Sequence, residues 1–288
     1  MAADVFEVPM HFYCFHPVRK STFPVAVAGV LALILTTGCG TPGMSSAQPH
    51  SAPTVADAAA ATALGASTPP VLLFVGMGTS SGSVAAVKTL LGNLNLAYAT
   101  ATSSQLNAMS VSQLTAYKLL FVPGGNAITI SKNLTHTATQ NIHNAIVNYG
   151  LHYVGICAGG FFAGSSGVYN YLSLTSNVWF NYYADEFNGI YKAAVEVRSS
   201  NGTKLDQYWE NGPQFSGWGQ VVGKYPDGTP AIVEGKAGNG WVILCGVHPE
   251  ATDAWRTGMT FTTPASVDNA YGQTMIAAAL AGTVLPHY

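Results

Sequence analysis

From residue 71 onward, short uninterrupted apolar runs alternate with stretches of helical periodicity, and no other property of the chain restricts its fold as much. Residues 71–75 and 119–122 read as continuous apolar strands, 152–156 as a further strand, and 83–91 and 137–148 as the helices between them. A helix-prone stretch follows Cys157, later strands are expected at 194–197, 231–234 and 241–245, and 272–280 reads as a closing helix. Strands that are apolar on both sides must be covered on both faces, and helices between successive strands are the connections a parallel sheet needs. The expectation is an α/β domain over residues 71–288: a doubly wound, mostly parallel sheet with helices on both faces. In such sheets ligands sit beyond the carboxyl ends of the strands, so the residues just after each strand carry the functional reading.

Charge and composition bear on setting and partners. Only 8% of the 288 residues are charged and the formal net charge is −2, which provides no basic field for a phosphate backbone; a nucleic-acid partner is not expected. Ahead of the domain, Arg19 and Lys20 precede an apolar run at 23–35, the layout of a secretory signal and too short to span a bilayer. Asp4 and Glu7 do not suit the basic start of such a signal, so Met10 is a candidate first residue. The run ends in Leu35-Thr36-Thr37-Gly38-Cys39, which resembles the lipobox of bacterial lipoproteins, with Thr36 in place of the usual Leu. That resemblance implies residues 1–39 as a signal, lipidation at Cys39, a membrane anchor, and an exported location in the cell envelope or periplasm; an ordinary cleaved signal is the alternative. Residues 40–70, rich in Ala, Ser, Thr and Pro with one acid, Asp57, read as a flexible tether.

Three strand ends carry the chemistry. Residue 122 is followed by Pro123-Gly124-Gly125, residue 156 by Cys157-Ala158-Gly159-Gly160, and residue 245 by Gly246-Val247-His248-Pro249-Glu250. A nucleophile between a strand and a helix sits on a sharp turn that needs small neighbours, and a helix N-terminus favours a thiolate. Gly155, Ala158, Gly159 and Gly160 meet that demand around Cys157. His248 suits the base and Glu250 the group that orients it, while the N–H groups of Gly125 and Ala158 suit an oxyanion hole. The four cysteines, 14, 39, 157 and 245, form no CxxC pair and suggest neither zinc nor a disulfide framework. Cys245 lies in an apolar run and reads as core, an oxidised pair with Cys157 being the alternative. Gly78-Thr79-Ser80-Ser81-Gly82 matches a serine-hydrolase pattern at Ser80, but a glycine-rich turn after a first strand is common for steric reasons alone. Gly76 and Gly78 hint at a dinucleotide loop, yet Ser81 replaces the third glycine, and no cofactor is expected. His136 and His143 lack metal-ligating company, His152 reads as structural, and no metal site is expected. The aromatic stretch 169–191 reads as packing, with a sugar- or amide-binding surface as its other use.

Pro123-Gly124-Gly125, Gly155-Ile156-Cys157-Ala158-Gly159 and His248-Pro249-Glu250, in this order, resemble class I glutamine amidotransferase domains. More closely, the run from Gly155 to Gly164, with Tyr208-Trp209-Glu210-Asn211-Gly212-Pro213 further on, resembles the amidotransferase-like N-terminal domain of biotin–protein ligases. The resemblance implies a flavodoxin-like sheet with Cys157, His248 and Glu250 as a triad acting on a carbon–nitrogen bond through a thioester. It also implies substrate contacts at Gly124, Asn126, Gly159, Tyr208 and Asn211, and a small-molecule or peptide amide as partner. Glutaminases of the class carry Gln where this chain has Phe161, or Phe162 with a slip of one, which sets glutamine itself apart from the expected substrates. No biotin-transfer module is read in the chain, so biotinylation is not expected. Two functions remain: a cysteine-dependent amidohydrolase or amidotransferase, or an inactive envelope-associated binding module of the same fold.

Overall fold

A computed structural model describes residues 68–175 and 181–288. The expected signal, Cys39 and nearly all of the tether lie outside the described residues.

The domain begins with β1 (Val71–Phe74), α1 (Ser81–Asn93), β2 (Tyr98–Ala101) and the short helices α2 (Ser103–Ala108) and α3 (Val111–Leu114). It continues through β3 (Leu119–Val122), α4 (Ala127–Lys132), α5 (His136–Val147), β4 (His152–Ile156) and α6 (Ala158–Phe162). After β5 (Asn181–Tyr182) and α7 (Ala184–Phe187) come β6 (Lys192–Ser199), β7 (Lys204–Glu210), β8 (Pro213–Gln214), β9 (Gln220–Lys224), β10 (Pro230–Ala237) and β11 (Gly240–Cys245). α8 (Ala265–Ala281) closes the fold.

One large sheet has the order β2-β1-β3-β4-β11-β10-β9-β6-β7, and β5 pairs with β8 in a second, two-stranded sheet. Within its parallel half, successive residues of β1 enter opposite cores. Val71 and Leu73 pack with Val87, Leu90 and Leu91 of α1 and Met275 and Ile276 of α8. Leu72 and Phe74 pack with Ile130 of α4 and Ile142 and Ile146 of α5. A strand buried on both faces has no use for polar residues, which is why β1 and β3 are apolar throughout. This is the expected doubly wound α/β layout, with one amendment. The strands β2, β1, β3, β4 and β11 are parallel, whereas β10, β9, β6 and β7 join by antiparallel pairing. In β6 the buried residues Val195 and Val197 alternate with more exposed neighbours, the pattern of a strand with one covered face.

The strand order sets the site. β3, β4 and β11 are adjacent, with Val122 opposite Gly155 and Ile156 opposite Cys245, so their carboxyl ends lie side by side. β7 is last in the sheet, yet its Tyr208 forms an isolated antiparallel bridge with His248. The antiparallel half therefore curls back to wall the same end of the parallel half.

Candidate active site

Cys157 stands between β4 and α6 with φ 48° and ψ −102°, a conformation a non-glycine residue adopts at a cost of about 1–3 kcal/mol. Its N–H donates to the Cys245 carbonyl at 2.7 Å, which holds the turn in place. The glycine after Ala158 is required by packing: a Cβ on Gly159 would lie 2.1 Å from the Val122 carbonyl oxygen. The Cys157 thiol lies 3.5 Å from the Glu210 carbonyl oxygen and faces a cavity of about 610 Å³.

His248 and Glu250 follow β11 on the turn that Pro249 stiffens. The His248 N–H donates to the Tyr208 carbonyl at 2.8 Å, and His248 Nδ1 lies 2.9 Å from Glu250 Oε1. Both side chains are buried, as is that of Cys157. Burial opposes a charged imidazole, but the negative charges of Glu250 and Cys157, and side-chain hydrogen bonding to both, hold His248 well above its ordinary pKa. The arrangement thus favours an imidazolium between a sulfur and a carboxylate. The ring also meets Tyr208 and Trp255 edge to face, with centroids 5.6 and 5.7 Å away. These rings fix its plane and shield it from water.

Of the two expected oxyanion donors, Gly125 lines the cavity and Ala158 is not among the lining residues. Gly125 bridges Thr79, and the bonds flanking the bridge run from Ser80 N–H to Gly124 O (2.8 Å) and from Asn126 N–H to Gly78 O (2.7 Å). The pairing leaves the Gly125 N–H aside, and Gly125 lines the cavity. Ala158 opens α6, where an N–H has no acceptor within its own helix.

The expected substrate contacts divide. Tyr208 and Asn211 line the cavity. Gly124 backs it instead: a Cβ there would lie 2.6 Å from His248 Cε1, so this glycine makes room for the imidazole. Asn126 is not among the lining residues; it caps α4, its side chain accepting from the Thr129 N–H at 2.9 Å. Gly159 is likewise a packing residue, its carbonyl accepting from the Tyr153 hydroxyl at 2.7 Å. Phe161 lies outside the lining and meets Tyr182 edge to face at 5.2 Å.

Other side chains of the site escape a reading by motif. Ser83, fully buried on α1, donates to Glu250 Oε1 at 2.7 Å and accepts from the Gly124 N–H at 2.9 Å. Lys192 and Glu210 are cross-strand partners on one cavity wall, with the Tyr208 hydroxyl donating to Glu210 Oε2 at 2.7 Å. Burial, and then that bond, push Tyr208 far above the usual phenol pKa, so it remains a donor. Trp255 also lines the cavity, its ring centroid 5.5 Å from that of Tyr208. Glu210 had a signal, since it falls inside the run Tyr208 to Pro213. Ser83 had none, being one of three serines, with Ser80 and Ser81, close together at the start of α1.

The rival sites recede. Ser80 caps α1 with ordinary extended backbone, φ −71° and ψ 128°, and lacks the nucleophile's strained turn. The loop with Gly76 is a packing feature: a Cβ on Gly76 would lie 2.4 Å from Phe74 and Ser103. Cys245 and Cys157 are both free; Cys245 is fully buried and contacts the Val247 carbonyl. His152 accepts from the Trp241 N–H, and His143 Nδ1 lies 2.8 Å from the Leu172 carbonyl. Among the described residues no group of three His, Cys, Asp or Glu side chains is placed to hold a metal ion, and no helix is long and apolar enough to cross a membrane.

Comparison with known proteins places the chain further. The family described as "Biotin-protein ligase, N terminal" matches residues 70–205. Similar solved structures include an exo-β-1,4-mannosidase from Opitutaceae bacterium strain TAV5, at 14% identity and TM-score 0.46 over 77% of this chain and 38% of that one. A protein described as a GMP synthase subunit from Thermoplasma acidophilum aligns at 13% identity and TM-score 0.45, over 74% and 96% of the two chains. A β-galactosidase from Halorubrum lacusprofundi aligns at 13% identity and TM-score 0.43, over 73% and 30%. The chain thus spans well under half of the mannosidase and the galactosidase. No curated protein matches it in sequence.

Proposed function

We propose, from the match of residues 70–205 to the family described as biotin-protein ligase, N terminal, and from the placement of Cys157, His248 and Glu250, that the protein is an exported cysteine-dependent enzyme that cleaves or transfers at an amide carbon–nitrogen bond. The Cys157 thiolate attacks the amide carbonyl carbon, and the new C–S bond pushes an electron pair onto the oxygen. The N–H groups of Gly125 and Ala158 stabilise that oxyanion. As the pair returns, the C–N bond breaks and the His248 imidazolium passes its proton to the leaving nitrogen. His248 then takes a proton from water, which attacks the thioester; collapse releases the acid and returns the Cys157 thiolate beside the imidazolium, and an amine in place of water completes a transfer. Glu250 orients the imidazole throughout and stabilises its charge whenever it is protonated. The partner on this reading is a small-molecule or peptide amide, and an acylated Cys39 anchors the protein in the cell envelope.

One observation carries the reading: a buried imidazole, its Nδ1 2.9 Å from Glu250 Oε1, lines the same cavity as Cys157. The test is alkylation of Cys157 by iodoacetamide across pH. The expected outcome is fast alkylation at neutral pH, below the free-thiol range near pKa ~8.5, and a marked loss of that rate in His248→Ala. Equal rates in the two proteins, or a rate that rises only in the free-thiol range, would overturn it. That second outcome favours an inactive binding module of the same fold, for which Phe161, at the position of the class's glutamine, speaks.

A further inference from the structure

We propose that Ser83 is a positioning residue of this site, its hydroxyl tying the Glu250 carboxylate to the turn at Gly124 and Gly125 and setting the direction of every hydrogen bond from that turn to His248. The inference rests on the reading of Cys157, His248 and Glu250 as a working site.

Ser83 is the third residue of α1 and has no exposed surface. A serine inside a helix commonly turns back to a carbonyl of the preceding turn. The Ser83 hydroxyl instead makes two tertiary bonds, to residues 41 and 167 positions away. Their polarity is fixed. A backbone N–H can only donate, so at Gly124 the Ser83 oxygen accepts, at 2.9 Å. Its single proton is then left for Glu250 Oε1, at 2.7 Å. A carboxyl oxygen that accepts there presents a lone pair, and the same oxygen lies 2.9 Å from His248 Nδ1. With Glu250 as a carboxylate, which can only accept, Nδ1 carries the proton of that bond whether the ring is neutral or charged, which leaves Nε2 as the atom that exchanges a proton with Cys157.

The energetic part follows from the other oxygen. Glu250 Oε2 is buried without a hydrogen-bond partner among the described residues. The charge of Glu250 is therefore held by the two donors at Oε1, and each is worth more for being one of two. Without Ser83, His248 is the one donor left of the two at Oε1, and the buried carboxylate that faces the imidazole is less firmly held. The turn at Gly124, next to the oxyanion donor at Gly125, loses its anchor in the same step.

The test uses the full chain and iodoacetamide, with Cys157 modification followed by mass spectrometry between pH 5 and 9 and melting measured alongside. The midpoint of the profile belongs to the coupled pair rather than to either residue. Ser83→Ala is expected to move it up by about one pH unit, which slows alkylation about tenfold below the midpoint, while Ser83→Thr, which keeps the hydroxyl, restores it. A folded Ser83→Ala protein with an unchanged profile overturns the proposal. So does an equal shift in the Ala and Thr variants, which would mark Ser83 as filling space. Should Ser83→Ala not fold, nitrogen–proton NMR of His248 in the unmodified chain decides: a proton kept on Nδ1 across the range is expected, and one lost first from Nδ1 overturns the proposal. If the unmodified chain itself shows no fast alkylation at neutral pH, the functional reading falls, and this inference with it.

Discussion

Two residues show how closely the site is packed around its imidazole. Cys157 is held in a backbone conformation that costs energy, at the N-terminus of a helix, by its bond to the Cys245 carbonyl. Gly124 leaves the space that the His248 ring occupies, and a methyl group there would overlap Cε1. Gly124→Ala is accordingly expected to push the ring out of line with Cys157. Overpacking of this kind costs about 1–3 kcal/mol of stability, and alkylation of Cys157 at neutral pH should fall with it. A variant that melts and reacts like the parent protein would show that the ring is not confined there.

Among the elements, the connection from β11 to α8 matters most, because it brings Trp255 against His248. It is fastened by a buried cluster. Arg256 pairs with Asp268 at 3.3 Å and donates to the Thr263 carbonyl, and Gln207 donates to Asp268 at 3.3 Å; at the surface beside them the Thr262 N–H donates to Asp206 at 2.7 Å. Burial pushes the Asp268 carboxyl up to about 7; Arg256 and the Thr263 hydroxyl pull it down, and Asp206 pushes it further up. An acid whose pKa is higher in the folded protein binds its proton more tightly there. Its stabilising contribution is complete below its unfolded value near 3.8 and is lost as pH rises through about 7. The melting temperature should therefore carry a decline between about pH 4 and pH 7 that Asp268→Asn removes. An identical slope in that variant would exclude Asp268 as its source.

At the scale of the molecule, a nine-stranded sheet separates two cores, and its parallel half alone places three chemically equipped strand ends together. Cys245 belongs to the interior of that half: it is fully buried, and burial drives its thiol well above the ordinary value. In the native protein iodoacetamide should modify Cys157 and spare Cys245 up to pH 9. In denaturant, labelling of Cys245 should follow the same transition as the far-ultraviolet circular dichroism. Native Cys245 that reacts as fast as Cys157 would mean that this core opens locally.

Much of this could be read in the sequence because it depends on local patterns. Unbroken apolar runs specify strands with two covered faces, so β1, β3, β4 and β11 were legible, and so was the α/β class. The order of the three strand-end motifs brought forward Cys157, His248 and Glu250, since a turn that demands glycines around a cysteine announces itself in the chain. Where a residue's role depends on what packs against it, the sequence was silent or misleading. β2 and β7, with the sequences YATA and KLDQYWE, lack an apolar run and take their place from neighbours they pair with. Asn126 and Gly159 looked like substrate contacts because they adjoin motifs, and serve as a helix cap and a packing contact. Ser83 meets Glu250 across 167 positions. Local sequence determined which segments could be strands and which turn could carry a nucleophile; the register of the sheet and the curl of its antiparallel half decided which side chains share the cavity, because contacts between distant residues exist only once the intervening chain has packed.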